Sequence, residues 1–398
     1  MSEPAPDPRP EIAFLFIGGA HQVFHLAPVA AELAALRPDH RVTCLHADPA
    51  TGAALETVRR AWYASAMGIE AVAVPRSAHW LAHLLHHHSA AKGPLLFGLR
   101  RRLARAAAVV TPERTSAFLR LMGLRTPLVH FRHGAGDRAP RSERRLRAFD
   151  LIVVPGEKDA ARAIRLGVAP SRIRTCGYVK LDLMAKLRGH AAPLFDNHRP
   201  TVVYNPHFDA SISSWKVADA VMAAFKMQNR YNLVFAPHVR VAEDMDAATR
   251  ARWQALAEPG RIIVDLGSPR LFDMSYTMGA DVYLGDMSSQ LYEFLARPRP
   301  AAFLNAHGVR WRDDPRHAGW HLGEVTDRVD DLIAAIDRAI EHQPARRAAQ
   351  VAALAEAFGD WDGAAARGAA HVAALLPPAG AGGRPQNAAL HRHDAHQH

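Results

Sequence analysis

The sequence predicts two α/β domains in tandem, each built on a parallel sheet. Three observations carry that expectation. Short apolar runs of strand length alternate with helix-length segments. The alternation pauses at Lys186 to Pro193 and then begins again. Finally, 398 residues with 49% hydrophobic content exceed what one core usually accommodates.

The first half opens with the apolar run Ile12 to Ile17, followed by Gly18 and Gly19. Val23, Leu26, Ala27, Ala30 and Leu33 then recur at helical spacing. Strands at Val42 to Leu45 and Ala71 to Val74, the second stopped by Pro75, flank a helix predicted over Ala53 to Met67. Arg76 to Val110 combines the His-rich stretch Trp80 to His88, the run Gly93-Pro94-Leu95-Leu96 and the basic Leu99 to Arg105. It fits two amphipathic surface helices, with a membrane-surface or acceptor-binding element as the alternative. Strands at Leu128 to Phe131, Leu151 to Val154 and Ile173 to Gly177, with a helix at Lys158 to Leu166, complete this half.

Lys186 to Pro193 reads as the connection, because Gly189 interrupts it and Pro193 ends it. Beyond it, strands are predicted at Val202 to Tyr204, Leu233 to Ala236, Ile262 to Asp265, Val282 to Leu284 and Ala301 to Leu304. Asp330 to His342, Ala345 to Phe358 and Asp362 to Leu376 read as terminal helices, the last able to pack back across the first domain. The expected division is a disordered start at 1–10, a first domain at 11–189, a second at 190–376 and a disordered His-rich tail at 377–398. His391, His393, His396 and His398 make a metal-binding tail the alternative to a solvated one.

Charge and composition narrow the function. The formal net charge is +10 with 24 histidines, which favours an anionic partner. The basic runs Arg100 to Arg105 and Arg138 to Arg147 carry no interleaved aromatics, so no nucleic-acid partner is expected. Cys44 and Cys176 both lie in apolar strand runs and read as buried thiols, which excludes a disulfide-stapled module. No basic, apolar leader and no membrane-length apolar stretch is present, so a cytoplasmic location is expected.

In open α/β sheets ligands collect at the carboxyl ends of the strands. That rule selects Gly18, Gly19 and His21; His133 and Gly134; Asn205, Pro206 and His207; Pro237, His238 and Arg240; and Gly285, Asp286, Met287, Ser288 and Ser289. These should line one cleft between the domains. Ser288 and Ser289 either cradle a phosphate or cap the helix that follows. His133 suits a general base or a hydrogen-bonded structural role. His238 has the same two readings, and Arg240 beside it favours an anion site. The G-x-G-x-x-G spacing, a Walker lysine, a G-x-S-x-G elbow and an H-E-x-x-H helix are all missing, and the cysteines lack zinc-type spacing. Dehydrogenase, P-loop ATPase, serine hydrolase and metal-centred readings are therefore set aside.

Taken in order, His133-Gly134, Pro155-Gly156-Glu157, Gly177-Tyr178-Val179-Lys180-Leu181-Asp182, Tyr204-Asn205-Pro206, Pro237-His238 and Asp286-Met287-Ser288-Ser289 resemble the CDP-glycerol glycerophosphotransferases of teichoic-acid and capsule synthesis. Asp362-Gly363 and Arg367 extend the resemblance, which runs from about Leu128 to Leu376. It implies a GT-B fold, two facing Rossmann-like domains with the nucleotide-linked donor held mainly by the second. It also implies that His133 and His238 are functionally required and that Asp286, Ser288 and Ser289 hold the donor phosphate. Met287 replaces the family's aromatic, and His207-Phe208-Asp209 stands where an arginine commonly follows the Tyr-x-Pro strand.

The expected reaction transfers glycerol phosphate from CDP-glycerol to a hydroxyl of a glycan or glycerophosphate acceptor, the glycan lipid-linked or capsular, releasing CMP. His133 takes the hydroxyl proton, and His238, Arg240 and the Ser288-Ser289 turn stabilise phosphate charge. Asn205 and Pro206 complete the donor side, and Gly18, Gly19 and His21 are expected to hold the acceptor. No obligate cofactor and no metal are expected. Leu95 to Arg105 is the candidate surface for a peripheral contact with the inner face of a membrane.

The alternatives are a nucleotide-sugar GT-B glycosyltransferase and a non-catalytic nucleotide- or glycan-binding protein. Among the enzyme readings UDP-N-acetylglucosamine epimerases rank third, since they follow the corresponding histidine with Glu-Ala-Gly where this chain has Gly134-Ala135-Gly136.

Overall fold

The structure is a computed structural model that describes residues 7–74, 92–134, 136–137, 141–187, 193–243, 245–286, 288 and 290–378. The stretch Trp80 to His88, the residues Met287 and Ser289 and the tail beyond 378 lie outside the described residues.

Two parallel sheets form the frame. In the first, β1 (Glu11–Phe16), β2 (Arg41–His46), β3 (Gly68–Ala71), β4 (Ala108–Thr111), β5 (Leu128–Phe131), β6 (Leu151–Val154) and β7 (Ile173–Thr175) lie in the order β3-β2-β1-β4-β5-β6-β7. The helices α1 (Val23–Leu36), α2 (Pro49–Ala61), α3 (Lys92–Leu103), α4 (Phe118–Leu121), α5 (Glu157–Arg165) and α6 (Val179–Leu187) connect them. In the second sheet, β8 (Thr201–Asn205), β9 (Asn232–Phe235), β10 (Ile262–Val264), β11 (Val282–Gly285), β12 (Ala301–Leu304) and β13 (Glu324–Thr326) are ordered β10-β9-β8-β11-β12-β13. Its helices are α7 (Ala218–Lys226), α8 (Val239–Glu243), α9 (Ala247–Gln254), α10 (Ser275–Gly279) and α11 (Gln290–Leu295). The chain continues through α12 (Leu332–Glu341), α13 (Gln343–Phe358) and α14 (Ala364–Ala373).

Strand alternation partitions the core. Ala13 and Leu15 enter one cluster, while Ile12, Phe14 and Phe16 point the other way. That second face shares a single apolar cluster with Val203, Val234, Tyr283 and Phe303 of the second sheet. The inner faces of both sheets are thus continuous through the buried helices between them. α14 packs on α1 and α6, so the chain returns to the first sheet at its end.

Several boundaries differ from expectation, for local reasons. α2 starts at Pro49 because the Asp48 side chain caps it, accepting from the Thr51 N–H at 2.8 Å, with Pro49 at the first helical position. It ends at Ala61, before Tyr63 takes a positive φ of 51°. β3 lies at Gly68–Ala71, not Ala71 to Val74: it is a partly exposed edge strand, so an apolar run does not mark it. β4, four residues long, and β13, three residues long, were not anticipated at all. Of the two helices expected over Arg76 to Val110, the second is α3 and is followed by β4, while residues 75–91, where the first was expected, lie outside the described residues. No helix of the described residues is long and apolar enough to cross a membrane.

Candidate functional site

Three strand ends of the first sheet meet at one edge. β1 leads into Gly18 and Gly19, β4 into Pro112 and Glu113, and β5 into Arg132 and His133. His133 is partly buried, and its Nδ1 lies 2.9 Å from the Pro112 carbonyl oxygen. A carbonyl only accepts, so Nδ1 carries the proton and Nε2 keeps the lone pair. Burial lowers the imidazole's pKa to about 4, against the opposing pull of the Glu113 carboxylate. The ring is therefore a neutral acceptor at pH 7.

His21 and His25 are its ring neighbours, with centroids 6.2 and 6.1 Å from His133. Burial first, then electrostatic interaction with His133 and Arg240, brings the His21 pKa down to about 3. Burial and then Lys180 push His25 well below the usual histidine range. Glu113 anchors this edge: its Oε1 accepts from Lys92 Nζ at 2.7 Å and from Gln22 Nε2 at 2.5 Å. Burial would raise its pKa, but Lys92, His133 and Gln22 outweigh burial and hold it at about 2. Gly18 gives that cluster its room, because a Cβ there would collide with Glu113 Oε1 and the Gln22 amide. Gly19, at φ +107°, allows the chain to turn into Ala20–Gln22.

The second sheet presents the other wall. His238 donates its backbone N–H to the Pro206 carbonyl at 3.0 Å, and its Nδ1 accepts from the Arg240 N–H at 3.3 Å. A neutral ring must then carry its proton on Nε2. The His238 ring lies 4.7 Å from Phe208 and 5.6 Å from His207. Burial, then His207, Arg240 and His21, lower its pKa to about 3. The exposed Arg240 guanidinium sits 4.7 Å over the Phe208 ring. His21 and Arg240, one from each wall, are near enough that Arg240 suppresses protonation of His21.

Asp286, only 1% exposed, faces inward from the end of β11. It accepts from the N–H of His207 at 3.1 Å, from the N–H of Ser214 at 2.8 Å and from Ser214 Oγ at 3.0 Å. Burial raises its pKa to about 6 despite those donors. Its oxygens therefore hold the loop after β8 in place. Asn205 is likewise occupied: Nδ2 donates to the Ala236 carbonyl at 2.6 Å and Oδ1 accepts from Ser288 Oγ at 3.4 Å. Ser288 Oγ also accepts the Gln290 N–H at 3.2 Å, a turn bond that leads into α11.

α11 also ties the two halves together. Glu293 accepts from Tyr178 Oη at 2.7 Å and from Lys180 Nζ at 2.8 Å, all three buried. One residue earlier, Tyr292 Oη donates to Asp137 at 2.8 Å, and Asp137 also accepts from the Gly319 N–H at 2.9 Å. Asp182 accepts from the Ala365 N–H at 2.9 Å at the start of α14, and Arg367 donates through Nε to the Cys176 carbonyl at 3.0 Å. Gly156 and Gly177 lie against Ala357 and Asp360, where a Cβ would strike backbone. The runs 155–157, 177–182 and 362–367 thus form the junction between the halves.

Of the residues singled out in the sequence, His133 and His21 are ring neighbours, and His238 and Arg240 lie within electrostatic reach of His21. Gly18, Asn205, Asp286 and Ser288 support them from behind, Pro206 fixes His238 through its carbonyl, and Ser289 is outside the described residues. Glu113 and Lys92 escaped sequence reading, since β4 itself was missed; His25, one helical turn after His21, was the available signal for a third imidazole.

The sequence matches no protein-family model and no curated protein. Solved structures do match. S. aureus MnaA with UDP has a TM-score of 0.62 at 12% identity, covering 91% of this chain and 96% of that one. The UDP-GlcNAc 2-epimerase from Neisseria meningitidis bound to UDP-GlcNAc gives 0.57 at 11%, covering 92% and 99%. The wall teichoic acid polymerase TagF, soaked with CDPG, gives 0.57 at 14%, covering 92% and 88%. At such identities the likeness is one of fold, and the fold of this chain is GT-B.

Proposed function

We propose that the chain is a GT-B transferase that moves glycerol phosphate from CDP-glycerol to an acceptor hydroxyl, on a glycan or a glycerophosphate, and releases CMP. The observation that carries this reading is the opposite tautomer of two histidines: Nε2 of His133 is a lone-pair acceptor and Nε2 of His238 a donor. A hydroxyl that attacks phosphorus needs a base on one side and donors to the phosphate oxygens on the other.

In the proposed step the acceptor oxygen bonds to the phosphorus next to glycerol as the bond from that phosphorus to the CMP oxygen breaks. The hydroxyl proton passes to His133 Nε2. Nε2–H of His238 and the Arg240 guanidinium meet the charge on the transferring phosphate and the leaving CMP. Asp286 and Asn205 hold the loops that set those groups. Gly19 and His21 edge the acceptor side, and α3 carries the surface proposed for a membrane contact.

A second reading, nucleotide-sugar chemistry, is favoured by the UDP and UDP-GlcNAc found in two of the similar structures. One assay separates the two. The purified chain is incubated with CDP-glycerol, with UDP- and GDP-sugars, and with an acceptor hydroxyl such as a glycerophosphate primer. CMP release from CDP-glycerol alone supports the first reading, and release of a nucleoside diphosphate from a sugar donor replaces it with the second.

A further inference from the structure

The end of the first sheet opposite the cleft carries a separate charged groove. It has a volume of about 590 Å³ and is lined by Arg9, Arg41, Arg101, Arg102 and Arg105, with Glu11 as the lining carboxylate. Glu11 and Arg41 are the first residues of β1 and β2. Gly18 lies past the other end of β1, roughly 20 Å away at strand rise. The groove therefore shares no wall with His133 or His238.

Its charges do not cancel. Arg102 binds Glu11 through Nη2 at 2.7 Å and also pairs with Glu70, while Arg41 lies 3.6 Å from Glu11. Arg9 is paired with Asp7 at 2.6 Å. Arg101 and Arg105 are exposed, and among the described residues neither has a carboxylate partner. Arg101 lies in the last turn of α3 and Arg105 in the turn that follows it, where its N–H bonds to the Arg102 carbonyl at 3.0 Å. The helix dipole accounts for a cation or two at the end of α3, but not for Arg9 and Arg41 arriving there from other elements. A groove of this size, rich in guanidinium forks with two of them uncompensated, matches a ligand bearing adjacent phosphates.

We propose that this groove is a second anion site, distinct from the transfer cleft, that binds a multiply phosphorylated group. The site does not depend on which donor the cleft uses. Arg101 and Arg105 make the primary contacts, and Arg102 and Arg41 supply the surrounding positive field.

The test is isothermal titration of the full chain with inorganic tripolyphosphate at low salt. Measured on an Arg240→Ala background, which removes the cleft's own phosphate contact, Arg101→Gln with Arg105→Gln should weaken binding at least about tenfold, whereas Arg347→Gln, an exposed arginine of α13, should change it less than about twofold. Equal affinity in the variant lacking Arg101 and Arg105, a comparable loss in Arg347→Gln, or no binding on that background overturns the proposal. A second arm adds phosphatidylcholine vesicles carrying about one-twentieth of a polyprenyl diphosphate, whose headgroup has two adjacent phosphates. Co-sedimentation that tripolyphosphate displaces and the double variant loses identifies a lipid headgroup as the source. Tripolyphosphate binding without co-sedimentation identifies a soluble anion, and both support the site. Vesicle binding that survives in the double variant counts against it.

Discussion

Lys180 Nζ lies 2.8 Å from Oε2 of Glu293, and the two come from opposite halves of the chain. Both are buried, and Tyr178 donates to the same carboxylate. Glu293 is on α11, whose first N–H, that of Gln290, bonds to Ser288 Oγ at the end of the second sheet. A short helix thus links the cleft to the interdomain junction. The geometry of the second wall depends on how firmly the first half holds α11.

Breaking that pair should cost more than removing it. Lys180→Met or Glu293→Leu leaves one buried partner uncompensated, and each should destabilise the fold by about 3–5 kcal/mol. The double variant should recover part of that loss. Urea unfolding of the four proteins measures the coupling, and strictly additive losses would refute a direct buried interaction.

Asp286 makes a different kind of prediction, because its carboxylate accepts from donors at both His207 and Ser214. Asn at this position offers a single acceptor oxygen and turns an NH₂ toward those donors. Asp286→Asn should cost about 1–3 kcal/mol and raise KM for the donor more than it lowers kcat. An unaltered Tm together with a collapse of kcat would instead indicate direct contact with the reacting phosphate.

The tautomers can be tested by side-chain mimicry. Gln places an amide N–H near the position of a histidine Nε2, so His238→Gln should retain about tenfold more turnover than His238→Ala. At His133 the same change should not help, since an amide is no base; both His133→Gln and His133→Ala should lose ~10²–10⁴ of kcat. Rescue by Gln at 133 and not at 238 would reverse the assigned roles.

Gly18→Ala probes the support behind His133. Its methyl would displace Glu113 or Gln22, and with them the Lys92 contact. Turnover should fall about tenfold with donor KM little changed. Normal turnover would show that the cluster can shift without moving His133.

What the sequence revealed follows from range. His133 and His238 were legible because each follows a short apolar run, and in a parallel sheet the residue after the strand faces the ligand edge. Glu113 was hidden, since β4 is only four residues long and lies directly behind the arginine run. The Lys180–Glu293 pair spans 113 residues, and no local pattern encodes such a partner. Asp286 and Ser288 were visible as a motif, but a motif does not say which way a carboxylate points. The structure turns Asp286 inward, toward loop N–H groups.

The histidines also set a pH dependence whose sign is fixed by the direction of their shifts. From 6.5, His133 falls to about 4 and His21 and His238 to about 3, each chiefly through burial. The unfolded chain therefore takes up protons below pH 6.5 that the folded chain refuses. Their stabilising contribution is complete above pH 6.5 and is lost as pH falls toward 4 and 3. Asp286 works the other way: raised by burial from 3.8 to about 6, it favours folding below pH 3.8 and loses that contribution as pH rises through 6. Three imidazoles outweigh one carboxyl, so this cluster as a whole loses stability on acidification. His133→Asn keeps a donor for the Pro112 carbonyl but removes one titrating ring. The Tm gap between wild type and His133→Asn should therefore narrow from pH 7 to pH 4, while wild-type kcat/KM falls with a midpoint near about 4. A gap that widens on acidification would mean that His133 is protonated in the folded chain, and it could not then serve as the base.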